Sequence, residues 1–166
     1  IAAGAVDFAM IADTVDEDDM SSNSATKVPT QQSVKAYVDS GATTLTNKIL
    51  KDYAETEQAV TSATTLAIDL ANGNCGTVTL AHSVTDIDFT NVPTDFATFT
   101  LVITQDGTGS RTMAINQITV NGDAHQTAKT AGAAGLTLST AAASVDIVTF
   151  LFVDETPYLF NQLAFA

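Results

Sequence analysis

The chain has 166 residues, enough for one domain with a real core plus an extension, and carries 19 acids against 6 bases for a formal net charge of −13. From Asp52 onward only Arg111 and Lys129 face twelve acids. Phosphate contacts need Lys and Arg, so nucleic acid and anionic membrane surfaces are excluded as partners. No apolar run approaches the roughly 18 residues of a membrane span, and a lone cysteine, Cys75, cannot form an intrachain disulfide.

Residues 1–27 (IAAGAVDFAMIADTVDEDDMSSNSATK) read as an acid-rich, extended linker or attachment segment, with Phe8, Ile11 and Met20 as its apolar anchors. The acidic run Asp16-Glu17-Asp18-Asp19 lacks the spacing of a calcium-binding loop and reads as a solvated stretch. A chain beginning at Ile1 rather than Met is expected to be processed, or to be a fragment of a longer polypeptide.

Residues 28–63 (VPTQQSVKAYVDSGATTLTNKILKDYAETEQAVTSA) carry a helical period. The stripe Val34, Val38, Ala42, Leu45, Ile49, Tyr53, Thr56 and Val60 has spacings of 4, 4, 3, 4, 4, 3 and 4, an eleven-residue repeat. That repeat gives about 3.67 residues per turn, nearly straight or slightly right-handed in a bundle. Pro29 suits the start of a helix, Thr30 or Ser33 can cap it, and Gly41 breaks it. The spacing predicts helices over about residues 30–40 and 43–62. The stripe is thin, with polar flanks on both sides, which favours self-association over packing on the chain's own β domain. Val34, Val38, Ala42, Leu45, Ile49, Tyr53 and Val60 are therefore the expected interface residues of an oligomer-forming helical stalk.

Residues 64–166 form a third region of a different kind. Strand-length apolar or alternating runs fall at 65–70, 77–80, 85–89, 96–105, 111–120, 136–138, 145–153 and 158–165, rich in Thr, Val, Ile and Phe. Turn signals separate them, and ITQDGTGSRTMAI has the strongest hairpin signature. The near-continuous runs FTLVITQD and SVDIVTFLFVD point to central strands. Strands at this spacing predict an antiparallel, jelly-roll-like β-sandwich. The expected fold class is α+β, mainly β.

The chemistry-bearing residues form no catalytic set. GxSxG, P-loop, GxGxxG and HExxH motifs are absent, so neither a catalytic, a cofactor nor a metal site is expected. His82 and His125 lack ligand spacing and read as surface or hydrogen-bonded residues. Asp86 and Asp88 share one strand face, but a glycosidase pair belongs in a cleft with sugar-stacking aromatics, and this chain has no Trp and three Tyr. Arg111 is expected to bridge a nearby acid, and Cys75 to be a small, partly buried residue.

The segment DDMSSNSATKVPTQQSVKAYVDSG, residues 18–41, closely resembles a linker-and-helix element of bacteriophage tail-fibre and related fibre proteins. FTLVITQDGTGSRTMAI and LSTAAASVDIVTFLFVDETPYLF, over about 95–160, resemble more loosely the β-sandwich domain of phage structural and fibre proteins. The resemblance implies a homotrimeric, non-enzymatic virion appendage, a tail fibre or fibre fragment involved in host attachment and joined to other virion proteins. Two readings of the β domain stay open. Its loops bind a host cell-surface glycan or protein, or it is purely architectural, as a neck or collar fibre, a baseplate part or a capsid decoration protein.

Overall fold

A computed structural model of the chain describes residues 14–17, 21–22, 27–40 and 51–165. The chain divides into two compact units, Ile1–Lys51 and Asp52–Ala166. The fold is α+β and mainly β, with a single α-helix among the described residues.

In the first unit, β1 (Thr14–Val15) pairs in parallel with β2 (Val28–Pro29), and α1 (Gln31–Ser40) follows. The predicted helix at 30–40 forms, and Thr30 is its cap. The Thr30 Oγ1 accepts the Ser33 N–H at 3.1 Å, while the Thr30 carbonyl receives the Val34 N–H at 3.1 Å. The Thr30 hydroxyl in turn donates to the Asp16 carboxylate at 2.5 Å, tying the linker to the cap.

The second unit contains β3 (Glu57–Ala59), β4 (Thr65–Asp69), β5 (Cys75–Leu80), β6 (Asp86–Thr90), β7 (Phe96–Gln105), β8 (Ile118–Val120), β9 (Val145–Val153) and β10 (Thr156–Phe165). They build a five-stranded sheet, ordered β10-β9-β7-β5-β3, and a three-stranded sheet, ordered β4-β6-β8. From β3 to β8 the chain crosses from one sheet to the other at each step, and β3, β5, β7 and likewise β4, β6, β8 run parallel. The path is therefore a three-turn β coil, closed by the antiparallel strands β9 and β10. This corrects the expected antiparallel, jelly-roll-like sandwich: the two sheets do face each other, but their pairing is mixed.

Two further expectations give way. The second helix, predicted over 43–62, does not form over 51–62: Glu57–Ala59 is a strand paired with Cys75–Thr77, and Val60 donates its N–H to the Thr77 carbonyl at 2.8 Å. Residues 41–50 of that prediction lie outside the described residues. The approach of residue 56 to the β coil depends on Gly73, whose φ is +134°, and where a Cβ would overlap the Thr56 carbonyl oxygen. The predicted hairpin across Asp106–Ser110 is also absent. After the turn the chain leaves for the other sheet, where Met113 bridges Val84 in parallel and only Ile118–Val120 of the expected 111–120 strand joins a ladder. Leu138, expected in a strand over 136–138, is instead a buried anchor of the long β8–β9 connection.

Alternation places Leu66 and Ile68, Val78 and Leu80, Ile87 and Phe89, Leu101 and Ile103, and Val148 and Phe150 in one core between the sheets. Phe89 of β6 meets Phe150 at 5.0 Å, Phe152 at 4.9 Å and Phe99 at 6.0 Å between ring centroids, all edge-to-face. Side-chain amides hold the crossings. Gln105 accepts the Arg111 N–H at 2.8 Å and donates to the Arg111 carbonyl at 2.9 Å, taking the place of a strand partner. Asn121 does the same at Val92, at 3.0 and 2.8 Å, and Gln58 binds the carbonyls of Asp69 and Gly73 at 3.0 and 2.8 Å. Buried Asp146 receives the Ser139 N–H, the Ser139 hydroxyl and the Ala164 N–H at 2.8, 2.6 and 2.9 Å, fastening the end of β10. The β9–β10 turn places both Asp154 and Glu155 at positive φ, 47° and 59°, the pattern of a type I′ hairpin.

Phe89→Ala should lower stability by about 3–5 kcal/mol, because a ring at the centre of four is lost and the sheets cannot close over the gap. Gln105→Leu should cost about 1–3 kcal/mol by leaving both Arg111 backbone groups without their partner. Urea unfolding followed by circular dichroism checks both values.

Candidate functional site

The seven expected interface residues do not form one stripe. Val34 and Val38 lie four residues apart on α1 and are 41% and 71% exposed, with Tyr37 beside them at 37%. Ala42, Leu45 and Ile49 lie outside the described residues. Tyr53 is exposed in an irregular stretch, and Val60 is buried in the β core. Tyr53 and Val60 thus leave the helical seam, because pairing of residues 57–60 with β5 overrides the helical period. What remains is a short apolar helix face, Val34, Tyr37 and Val38, open in the single chain. A helix of ten residues is marginal alone in water.

A second apolar surface lies on the outside of the five-stranded sheet, and its residues escaped the sequence reading. FTLVITQ and VDIVTFLFV do form the inner strands β7 and β9, but their near-continuous apolar character fills both faces. Inner positions are buried; the alternate outer ones, including Val102, Ile147 and Leu151, are half-buried. Val102 lies opposite Ile147, Leu151 opposite Tyr158, and Thr149 opposite Phe160. Phe96 and Phe160 are 73% and 59% exposed. The signal available in the sequence was the absence of charged residues at the outer alternate positions of two long strands, where aliphatic, aromatic and threonine side chains stand instead.

The polar candidates are local. Arg111 bonds Asp106 through Nη2 at 2.7 Å and Nε at 3.2 Å, as expected of the domain's isolated cation. That guanidinium holds the Asp106 carboxyl below its ordinary 3.8; desolvation opposes it, and the Gly109 and Thr108 amides assist. His82 meets the Ser62 hydroxyl at 3.4 Å, and His125 lies 3.8 Å from Asp86. No cluster of three metal-ligating side chains occurs among the described residues. The Cys75 Sγ lies 3.5 Å from the Thr56 carbonyl, and desolvation, then Glu55 and Glu57, push its thiol up, which disfavours the nucleophilic thiolate. An apolar groove of about 750 Å³ runs between residues 113–116 and 127–136, with Met113, Ile115, Ala128 and Leu136 on its walls. It presents no acid or base pair positioned for chemistry.

No protein-family model, curated protein or solved structure significantly matches the chain.

Because the Asp106 pKa is depressed in the folded state, its contribution to stability is complete above the ordinary 3.8 and is lost as pH falls through the lower folded value. Thermal unfolding between neutral and acid pH should therefore show a shallower acid loss for Asp106→Asn than for the parent chain.

Proposed function

We propose that the chain is a structural component of a bacteriophage virion, a homotrimeric tail fibre or fibre fragment that takes part in host attachment and has no enzymatic role. The observation that carries this reading is the element VPTQQSVKAYVD, residues 28–39, the most specific part of the fibre resemblance. It coincides with a capped helix whose apolar residues Val34, Tyr37 and Val38 are 41%, 37% and 71% exposed. Burying such a Val contributes on the order of 1.5–3 kcal/mol in each copy, so three copies meeting along α1 would stabilise one another and a helix that is marginal alone. The amide-clamped β coil of the second unit suits a mechanical or displayed module.

The purely architectural alternative, a neck or collar fibre, baseplate part or decoration protein, is favoured by one observation. The outer sheet face is built of aliphatic, aromatic and threonine side chains, suited to packing on protein more than to hydrogen-bonding a sugar.

Val38→Asp places like charges at one level of the associated helices. Sedimentation velocity over a dilution series should show the variant dissociating at roughly tenfold higher concentration than the parent chain. A dissociation curve unchanged by Val38→Asp would falsify helix-mediated association.

A further inference from the structure

The outer face of β7, β9 and β10 combines three properties. First, aliphatic and aromatic side chains recur along it, Phe96, Val102, Ile147, Leu151, Val153 and Phe160 among them, with threonines between. Second, none of the described outward side chains on these strands is charged, in a chain carrying 19 acids against 6 bases. Third, two hydroxyls near its middle satisfy each other: Thr100 and Thr149 are opposite in the ladder, with their Oγ1 atoms 3.1 Å apart. A face whose central polar groups are already paired loses little on drying.

We propose that this face is a subunit interface, covered by a neighbouring copy of the same chain. Size allows it. Strands of about ten residues span roughly 34 Å, and three of them at about 4.8 Å spacing give on the order of 500 Å² a side, about the 1,000 Å² in total that a specific interface requires. Charge selects the occupant. Two copies at −13 each repel wherever charged surfaces meet, so the uncharged patch is where they approach at least cost. A basic partner would find no acid there, and an anionic lipid surface is repelled by the chain as a whole. Lys129 stands at the β10 edge, its Nζ 5.1 Å from the Tyr158 ring centroid, at the rim of the patch. The inference deepens the self-association proposed above, yet it stands on the sheet and not on α1.

The test uses the full chain. Thr149→Arg introduces a charge at the middle of the face without removing any core side chain, and Phe160→Glu does so at a residue already open to solvent. Both should keep the parent circular dichroism and melting temperature, and both should dissociate at roughly tenfold or higher concentration than the parent chain in sedimentation velocity. Phe160→Glu keeps the test informative should Thr149→Arg fail to fold. Parent-like association of the folded variants overturns the sheet interface, and if Val38→Asp still dissociates, the helix-mediated reading survives that failure. Dissociation by the sheet variants with no effect of Val38→Asp has the opposite meaning: the sheet interface stands and helix association fails. A parent chain that is monomeric at about 100 µM overturns both.

Discussion

The ring of Phe89 ties the second unit together. It projects from the middle strand of the three-stranded sheet into three rings of the five-stranded one, so the two sheets cannot separate without exposing all four aromatic side chains. Each neighbouring choice follows from that contact. Gly76 has no side chain because a Cβ there would lie 3.0 Å from the Phe99 ring and 2.9 Å from the Gln58 carbonyl oxygen. Leu101, Ile103, Val148 and Phe152 continue the same layer, and the threonines that alternate with them fall on the outside. Edge-to-face geometry adds about 0.5–1.5 kcal/mol per pair beyond area burial, which favours this register over a slipped one.

A coil that crosses between sheets at every strand has a cost: its turns interrupt the ladders, and backbone groups at the corners lose their partners. The chain meets that cost with amide side chains. Gln58, Gln105 and Asn121 each bond backbone groups at these corners, and among the described residues no buried side-chain polar atom lacks a hydrogen-bond partner. Rigidity at the corners leaves the outer sheet face as a fixed plane, the kind of surface on which two protein faces match without ordering loops first.

Two apolar surfaces, one on α1 and one on the sheet, are thus offered by a chain whose remaining charge discourages indiscriminate contact. In a fibre reading they divide the work between a helical association element and a packed module. In that reading the acidic excess would discourage contacts elsewhere, and the two uncharged surfaces would be where copies join. Among the described residues no cluster of three metal-ligating side chains occurs.

The composition, the β-rich second region, the capped helix at about 30–40, an acid partner for Arg111 and the full extents of β7 and β9 were legible in the residues; that the acid is Asp106 was not. Each is a local property: alternation, a cap before a periodic run, a lone cation near acids. Strand direction was not legible, because an alternation of period two reads the same in parallel and antiparallel ladders. Nor could the glycine turn at 106–110 reveal that the chain departs to the other sheet, since Gln105 supplies the pairing a hairpin strand would have made. The eleven-residue repeat was real as a pattern, but Val60 and Glu57–Ala59 joined β5, where a buried ladder and core outweigh a weak helical propensity. The sequence by itself determined which side chains seek burial and where the helix starts. Only the tertiary structure decided which strands pair, in which direction, and which apolar faces remain uncovered, because those depend on contacts between residues far apart in the chain.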